Sequence, residues 1–135
     1  MPIDFLKTTF SQNLASDAII WKDQVFSYDW LLAKLDQCAT TLQSNDILPG
    51  SVVALKTDYS PYGIALFLAL IEKRCIVAPL TPDSQITEFE QISQAEISIN
   101  VDPQGNVSTI RLNSDKSCHP YFETLRTRNH PGLIL

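Results

Sequence analysis

Basic residues are scarce in this chain of 135 residues: four Arg and six Lys stand against fifteen Asp and Glu, a net charge of -5. The pI is about 4.8, and only Arg126-Thr127-Arg128 brings two cations close together. A nucleic-acid partner is therefore not expected, because such partners are held by clustered cations on phosphates. Charge of either sign is low at 19%, which argues against a disordered tail or a coiled coil. Long apolar runs are missing too. The longest uncharged stretch, Tyr59 to Ile71, has 13 residues, short of the ~20 that a membrane helix needs. Met1-Pro2-Ile3-Asp4 lacks the basic start of a secretory leader. Cysteine is limited to Cys38, Cys75 and Cys118, an odd and widely spaced set without a Cys-x-x-Cys pair. That pattern opposes a disulfide frame or zinc site and suits buried thiols in a reducing cytoplasm. The four glycines are dispersed, and no phosphate-loop, dinucleotide, zincin or nucleophile-elbow pattern occurs.

What is present is a 44% hydrophobic chain of ordinary domain size. Ile19-Ile20-Trp21 and Val25-Phe26-Ser27 flank Lys22-Asp23-Gln24 and predict a short β-hairpin. Ser27 is placed to cap a helix over Tyr28–Ser44, with Asp29 in its first turn. Leu31, Leu35, Cys38 and Leu42 form its apolar stripe, widened by Leu32 and Ala39. Pro49-Gly50 suits the centre of a type II turn, since Pro presets φ and Gly accepts a positive one. Val52–Leu55 and Cys75–Ala78 are continuous apolar runs, as in parallel strands covered on both faces, and Pro79 is expected to end the second. Ser60-Pro61 predicts a helix start, and the wholly apolar Ile64–Ile71 predicts a helix buried nearly all round.

Thr87-Glu88-Phe89-Glu90 matches a capping box opening a helix to about Gln94, with Phe89 and Ile92 facing inward. Ile97, Ile99 and Val101 alternate with Ser98 and Asn100, predicting a half-buried strand. Asp102–Asn106 is a turn cluster, Val107–Leu112 a returning arm, Asn113–Cys118 a polar loop, and Pro120–Arg128 holds one helical turn. Gly132–Leu135 resembles a strand just beginning. The sum is an α/β domain: a mainly parallel sheet, right-handed crossovers, flanking helices and a small N-terminal hairpin.

Chemistry-bearing residues are few. His119 follows Cys118 directly, and His130 precedes Pro131; both read as surface or structural residues. The carboxylates are spread over helix faces and turns, so no acid/base pair can be assigned. Trp21, Trp30, Tyr62 and Phe67 make a conceivable aromatic box and read more simply as core. No catalytic, cofactor-binding or metal-ligating residue can be named.

Taken in order, the segments resemble the start of the adenylate-forming (AMP-binding) superfamily of acyl- and aryl-CoA synthetases, luciferases and peptide-synthetase adenylation domains. Val25–Leu31 is similar to its thr/ser-tyr-x-x-leu segment, and Ile47–Leu55 to its gly-val-x-pro-gly-asp-x-val-ala turn and strand. Phe67–Ile71 with Val77–Leu80 is similar to its helix and the strand ending in val-pro-leu. His130–Leu135 resembles the strand before its Ser/Thr/Gly-rich phosphate loop. Two departures stand out: Ser51 replaces the usual Asp, and Glu72-Lys73-Arg74-Cys75 replaces Lys-Ala-Gly-Ala. The resemblance implies that residues 1–135 are one N-terminal subdomain of an ATP-dependent carboxylate-activating ligase, cut before its phosphate loop and inert alone. ATP and magnesium are then implied for the parent and none for this chain. The remainder of the parent is the implied partner, and self-association through an exposed edge is expected. A standalone α/β binding or interaction module, and one half of a split adenylating enzyme, remain as alternatives.

Overall fold

The computed structural model describes residues 1–83, 86–112 and 118–135, with backbone alone for residues 86, 87 and 90. The chain opens with helix α1 (Asp4–Ser11), followed by a two-stranded hairpin of β1 (Asp17–Trp21) and β2 (Gln24–Ser27). Trp21 pairs with Gln24, so the hairpin turn is Lys22-Asp23 alone, both at positive φ (48° and 64°). That is the twist a two-residue hairpin requires. Helix α2 (Tyr28–Ser44) follows at once, and the Ser27 hydroxyl accepts a bond from the Trp30 amide. Its buried stripe is Leu31, Leu35, Cys38 and Leu42; Leu32 is half-buried, whereas Ala39 lies on the solvent side. The expected turn at Pro49-Gly50 is present, with Gly50 at φ +82° and Ser51 N–H donating to the Leu48 carbonyl.

The main sheet is built from β3 (Val52–Lys56), β4 (Ile76–Leu80), β5 (Ile97–Val101), β6 (Val107–Arg111) and β7 (Gly132–Leu133). Their order is β6-β5-β3-β4-β7. All neighbours are parallel except β5 and β6, which form an antiparallel hairpin. Helix α3 (Pro61–Glu72) links β3 to β4, α4 (Ile86–Ser93) links β4 to β5, and α5 (Pro120–Thr127) precedes β7. Strand period places Val53, Leu55, Val77, Ile97, Ile99 and Val101 on one face, with α2 and α3. Val52, Ala54 and Ile76 point the other way, against Ala95 and Phe122.

Several expectations are corrected. An eight-residue helix, α1, occupies a stretch with no side-chain cap to mark its start. Strand β4 runs through Pro79 to Leu80. The Val77 carbonyl accepts from Ile134, so Pro79, two residues on, turns its missing N–H to the same side, past the end of β7. No ladder bond is lost there. Helix α4 begins at Ile86, placing Thr87 inside it rather than at its cap, and Phe89 and Ile92 are exposed. Strand β5 is not half-buried: only Asn100 is exposed, because β5 lies between two strands and under helices. Residues 120–127 make two helical turns, not one, because His119 and Pro120 start the helix well. Cys118 is exposed, unlike Cys38 and Cys75. Of the expected polar loop, residues 113–117 lie outside the described residues.

Candidate functional site

The connection leaving β3 carries α3 to one face of the sheet, and the connection leaving β4 carries α4 to the other. Chains that part in this way open a crevice at the carboxyl ends of the two strands, where open α/β sheets accept ligands. The loops at that position are Thr57–Ser60 after β3 and Thr81–Asp83 after β4, tied by Thr57 N–H to the Leu80 carbonyl at 3.1 Å.

The β3–α3 loop is stiffened residue by residue. Thr57 Oγ1 accepts the Tyr59 amide at 3.2 Å, Asp58 Oδ1 accepts the Ser60 amide at 3.2 Å, and Ser60 Oγ accepts the Gly63 amide at 3.4 Å. Gly63 is needed, because a Cβ there would lie 2.2 Å from Thr57 Oγ1. Tyr59 sits in the left-handed region at φ +56°, a conformation costly for an aromatic residue and typical of functional loops. Its hydroxyl is buried with no hydrogen-bond partner among the described residues, and burial raises its pKa. Because the amides of Tyr59, Ser60 and Gly63 are all bonded within the loop, it forms a rigid wall and does not offer an anion cradle. Tyr59 carries no signal in the sequence, since a strained buried tyrosine leaves no periodic trace.

The residues weighed as an aromatic box come together only in part. Trp30 and Tyr62 meet at 5.6 Å, and Phe26 joins at 4.7 Å from Trp30. Trp21 lies instead beneath the Lys22 ammonium, and Phe67 lines a separate groove. His119 caps α5 through Nδ1, which accepts the Tyr121 amide, and His130 Nδ1 lies 2.7 Å from the Pro131 carbonyl. Both roles are structural. Among the described residues no three His, Cys, Asp or Glu gather as a metal site, and no helix is long and apolar enough to cross a membrane.

At the opposite, amino end of the strands a buried cation organises the fold. Arg126 donates from Nε to the Gly50 carbonyl and from Nη2 to Glu96, each at 2.9 Å, and pairs through Nη1 with Glu123. Glu96 also accepts the Val52 amide at 3.4 Å. One side chain thereby ties α5 to the turn before β3 and to the residue before β5. In the sequence Arg126 is marked only by its neighbour Arg128, since two of its three partners lie 30 and 76 residues away.

No protein-family model and no curated protein matches the sequence. Solved structures do. NpsA of Klebsiella oxytoca in complex with 3-hydroxyanthranilyl-AMSN is similar over 99% of this chain and 30% of its own, with TM-score 0.72 and 21% identity. The N-terminal subdomain of NpsA is similar over 97% of this chain and 36% of its own, with TM-score 0.69 and 23% identity. NpsA also forms part of an artificially fused adenylation–PCP di-domain. CmiS6 is similar over 84% of this chain and 33% of its own, with TM-score 0.67 and 19% identity. The chain thus spans about a third of the length of these relatives. Its fold is that of an N-terminal subdomain of an adenylation domain, so the resemblance read in the sequence holds in three dimensions.

Proposed function

We propose that the chain is the N-terminal structural portion of an adenylate-forming ligase and contributes scaffold to it. The observation that carries this reading is the structural match to NpsA over 99% of the chain. In such a ligase a carboxylate attacks the α-phosphate of ATP, giving an acyl-adenylate and pyrophosphate, and a thiol then takes the acyl group. The described residues do not fit a triphosphate or magnesium site: the glycines stand apart, the β3–α3 amides are already bonded, and no acidic cluster forms. No step through ATP is therefore assigned to them. Their role is positioning: a stiff sheet whose carboxyl ends form one wall of a crevice, since transition-state stabilisation needs prearranged supports. The setting is a reducing cytoplasm, and the partner is the rest of the parent, which continues the sheet beyond β7 or, when absent, gives way to a second copy.

Pyrophosphate exchange with a panel of fatty, aryl and amino acids tests this. The chain alone is expected at background, and the chain joined to the following part of its parent is expected to exchange. Exchange by the chain alone overturns the scaffold reading. Restoration by the remainder supplied as a separate polypeptide points to a split enzyme. Light scattering of the chain alone tests the edge: a concentration-dependent rise above 15.1 kDa is expected.

A further inference from the structure

The amino end of the sheet carries two adjoining cavities of opposite character. One, of about 520 Å³, lies within the size range of small-molecule sites and has apolar walls. They are Ile3 and Leu6 at α1, Phe67, Leu68 and Ile71 on α3, and Leu133 on β7. The other, of about 100 Å³, is polar and is bounded by the Pro49-Gly50 turn and Arg126. Arg74, Asn129 and His130 line both, so an apolar groove runs directly into a polar end.

The charges around it are unevenly matched. Asp4 of α1 is paired with the N-terminal ammonium at 3.1 Å, and Glu72 of α3 with Lys7 at 3.7 Å. Arg126 is paired with Glu96 and Glu123. Arg74 has no carboxylate partner among the described residues. Its Nη2 reaches across to Met1 Sδ at 3.9 Å, toward the start of α1. Its own backbone is fixed: φ is +62°, and its carbonyl accepts the Gly50 amide at 2.9 Å. In a chain of net charge -5, an unpaired guanidinium at the mouth of an apolar groove selects an anion with an apolar tail.

We propose that this groove is a binding site for a long-chain monocarboxylate, with the alkyl tail between α1 and α3 and the carboxylate on Arg74. Burying the chain is driven by apolar area, and the guanidinium supplies a bidentate, charge-assisted contact that neutral amphiphiles lack. The site lies at the amino ends of β3, β4 and β7, opposite the crevice at the carboxyl ends. It does not rest on the ligase reading, and its failure leaves that reading intact.

Calorimetric titration of the full chain with dodecanoate, below its micelle concentration, and with dodecanol tests it. Saturable one-to-one binding of dodecanoate, tighter than that of dodecanol, is expected. Arg74→Gln should weaken dodecanoate about ten-fold or more and leave dodecanol unchanged, and Arg74→Lys, which keeps the charge and loses the fork, should restore only part of the loss. Phe5→Asp, at an exposed residue lining the groove, should weaken both probes without lowering the melting temperature. No saturable binding, or equal binding of both probes with no response to Arg74→Gln, overturns the proposal. Such results would leave the groove as a contact surface for other polypeptide.

Discussion

The two faces of the main sheet are unequal. One carries eighteen buried residues, supplied by α1, α2, α3 and the strands. The hydrophobic cluster on the other has five: Val52, Ala54, Ile76, Ala95 and Phe122. The parallel register explains the difference. Val53, Val77 and Ile97 form one row and Leu55 and Ile99 the next, all on the thick face. On the thin face the central row is Ala54, Ala78 and Ser98. Large residues leave a deep layer to be filled by two long helices; small ones admit only the short α4 and α5. Of those two, α5 is held largely by the Arg126 pairs. The thick face is a packed core, whereas the thin face relies on a polar latch, and the two should fail in different ways.

The largest effect is expected from Leu66→Asp, at a fully buried position of α3. An unpaired charge there costs several kcal/mol, enough to abolish the cooperative melt of a marginal domain. Leu68→Asp, on the half-buried side of the same helix, should leave a folded protein with a lowered melting temperature. Equal damage from both would mean the helix has no wet side.

Next comes the latch. Arg126→Met takes the guanidinium away from Glu96 in a largely buried setting, which costs about 3 kcal/mol when one partner of such a pair is lost. Hydrogen exchange should quicken over residues 120–134 far more than in α2 and β3. Uniform acceleration would contradict a local latch.

Alkali should act on the thick face. Burial pushes the Cys75 thiol up to about 12 from 9.0, so the folded state retains a proton that the unfolded state releases. The associated stability is complete below pH 9 and is lost as pH rises from 9 to 12, by up to about 1.4 kcal/mol per unit. Denaturant midpoints measured across that window check the sign, with Cys75→Ala as the flattened control.

The smallest effect has the opposite sign. Ser98 is buried on the thin face, and its hydroxyl has no partner among the described residues. Ser98→Ala should be neutral or stabilising by up to about 1 kcal/mol, because removing an unsatisfied polar atom ends its desolvation cost. A clear loss of stability in a urea titration would show that the hydroxyl is satisfied in solution.

Local rules determined much of this protein from its sequence. Capping at Ser27 and Ser60, the Pro49-Gly50 turn, the period of α2, the apolar run of β3 and the Asp102 turn each act within a few residues, and each is where the sequence placed it. The Asp102 carboxylate, for instance, accepts the amides of Gln104 and Asn106 at 2.9 Å, and the Asn106 side-chain amide, helped by these backbone bonds, lowers its pKa. The segment order was legible for the same reason and pointed to the right fold. Tertiary structure alone decided the rest. Pro79 stays in a strand because β7 ends before reaching it, and Phe89 and Ile92 face outward despite their hydrophobicity. Arg126 finds two of its partners, Gly50 and Glu96, in distant stretches, and Arg74 becomes the unmatched cation of a groove built from α1, α3 and β7. Burial and charge pairing depend on which surfaces meet across the chain, and no local pattern carries that information.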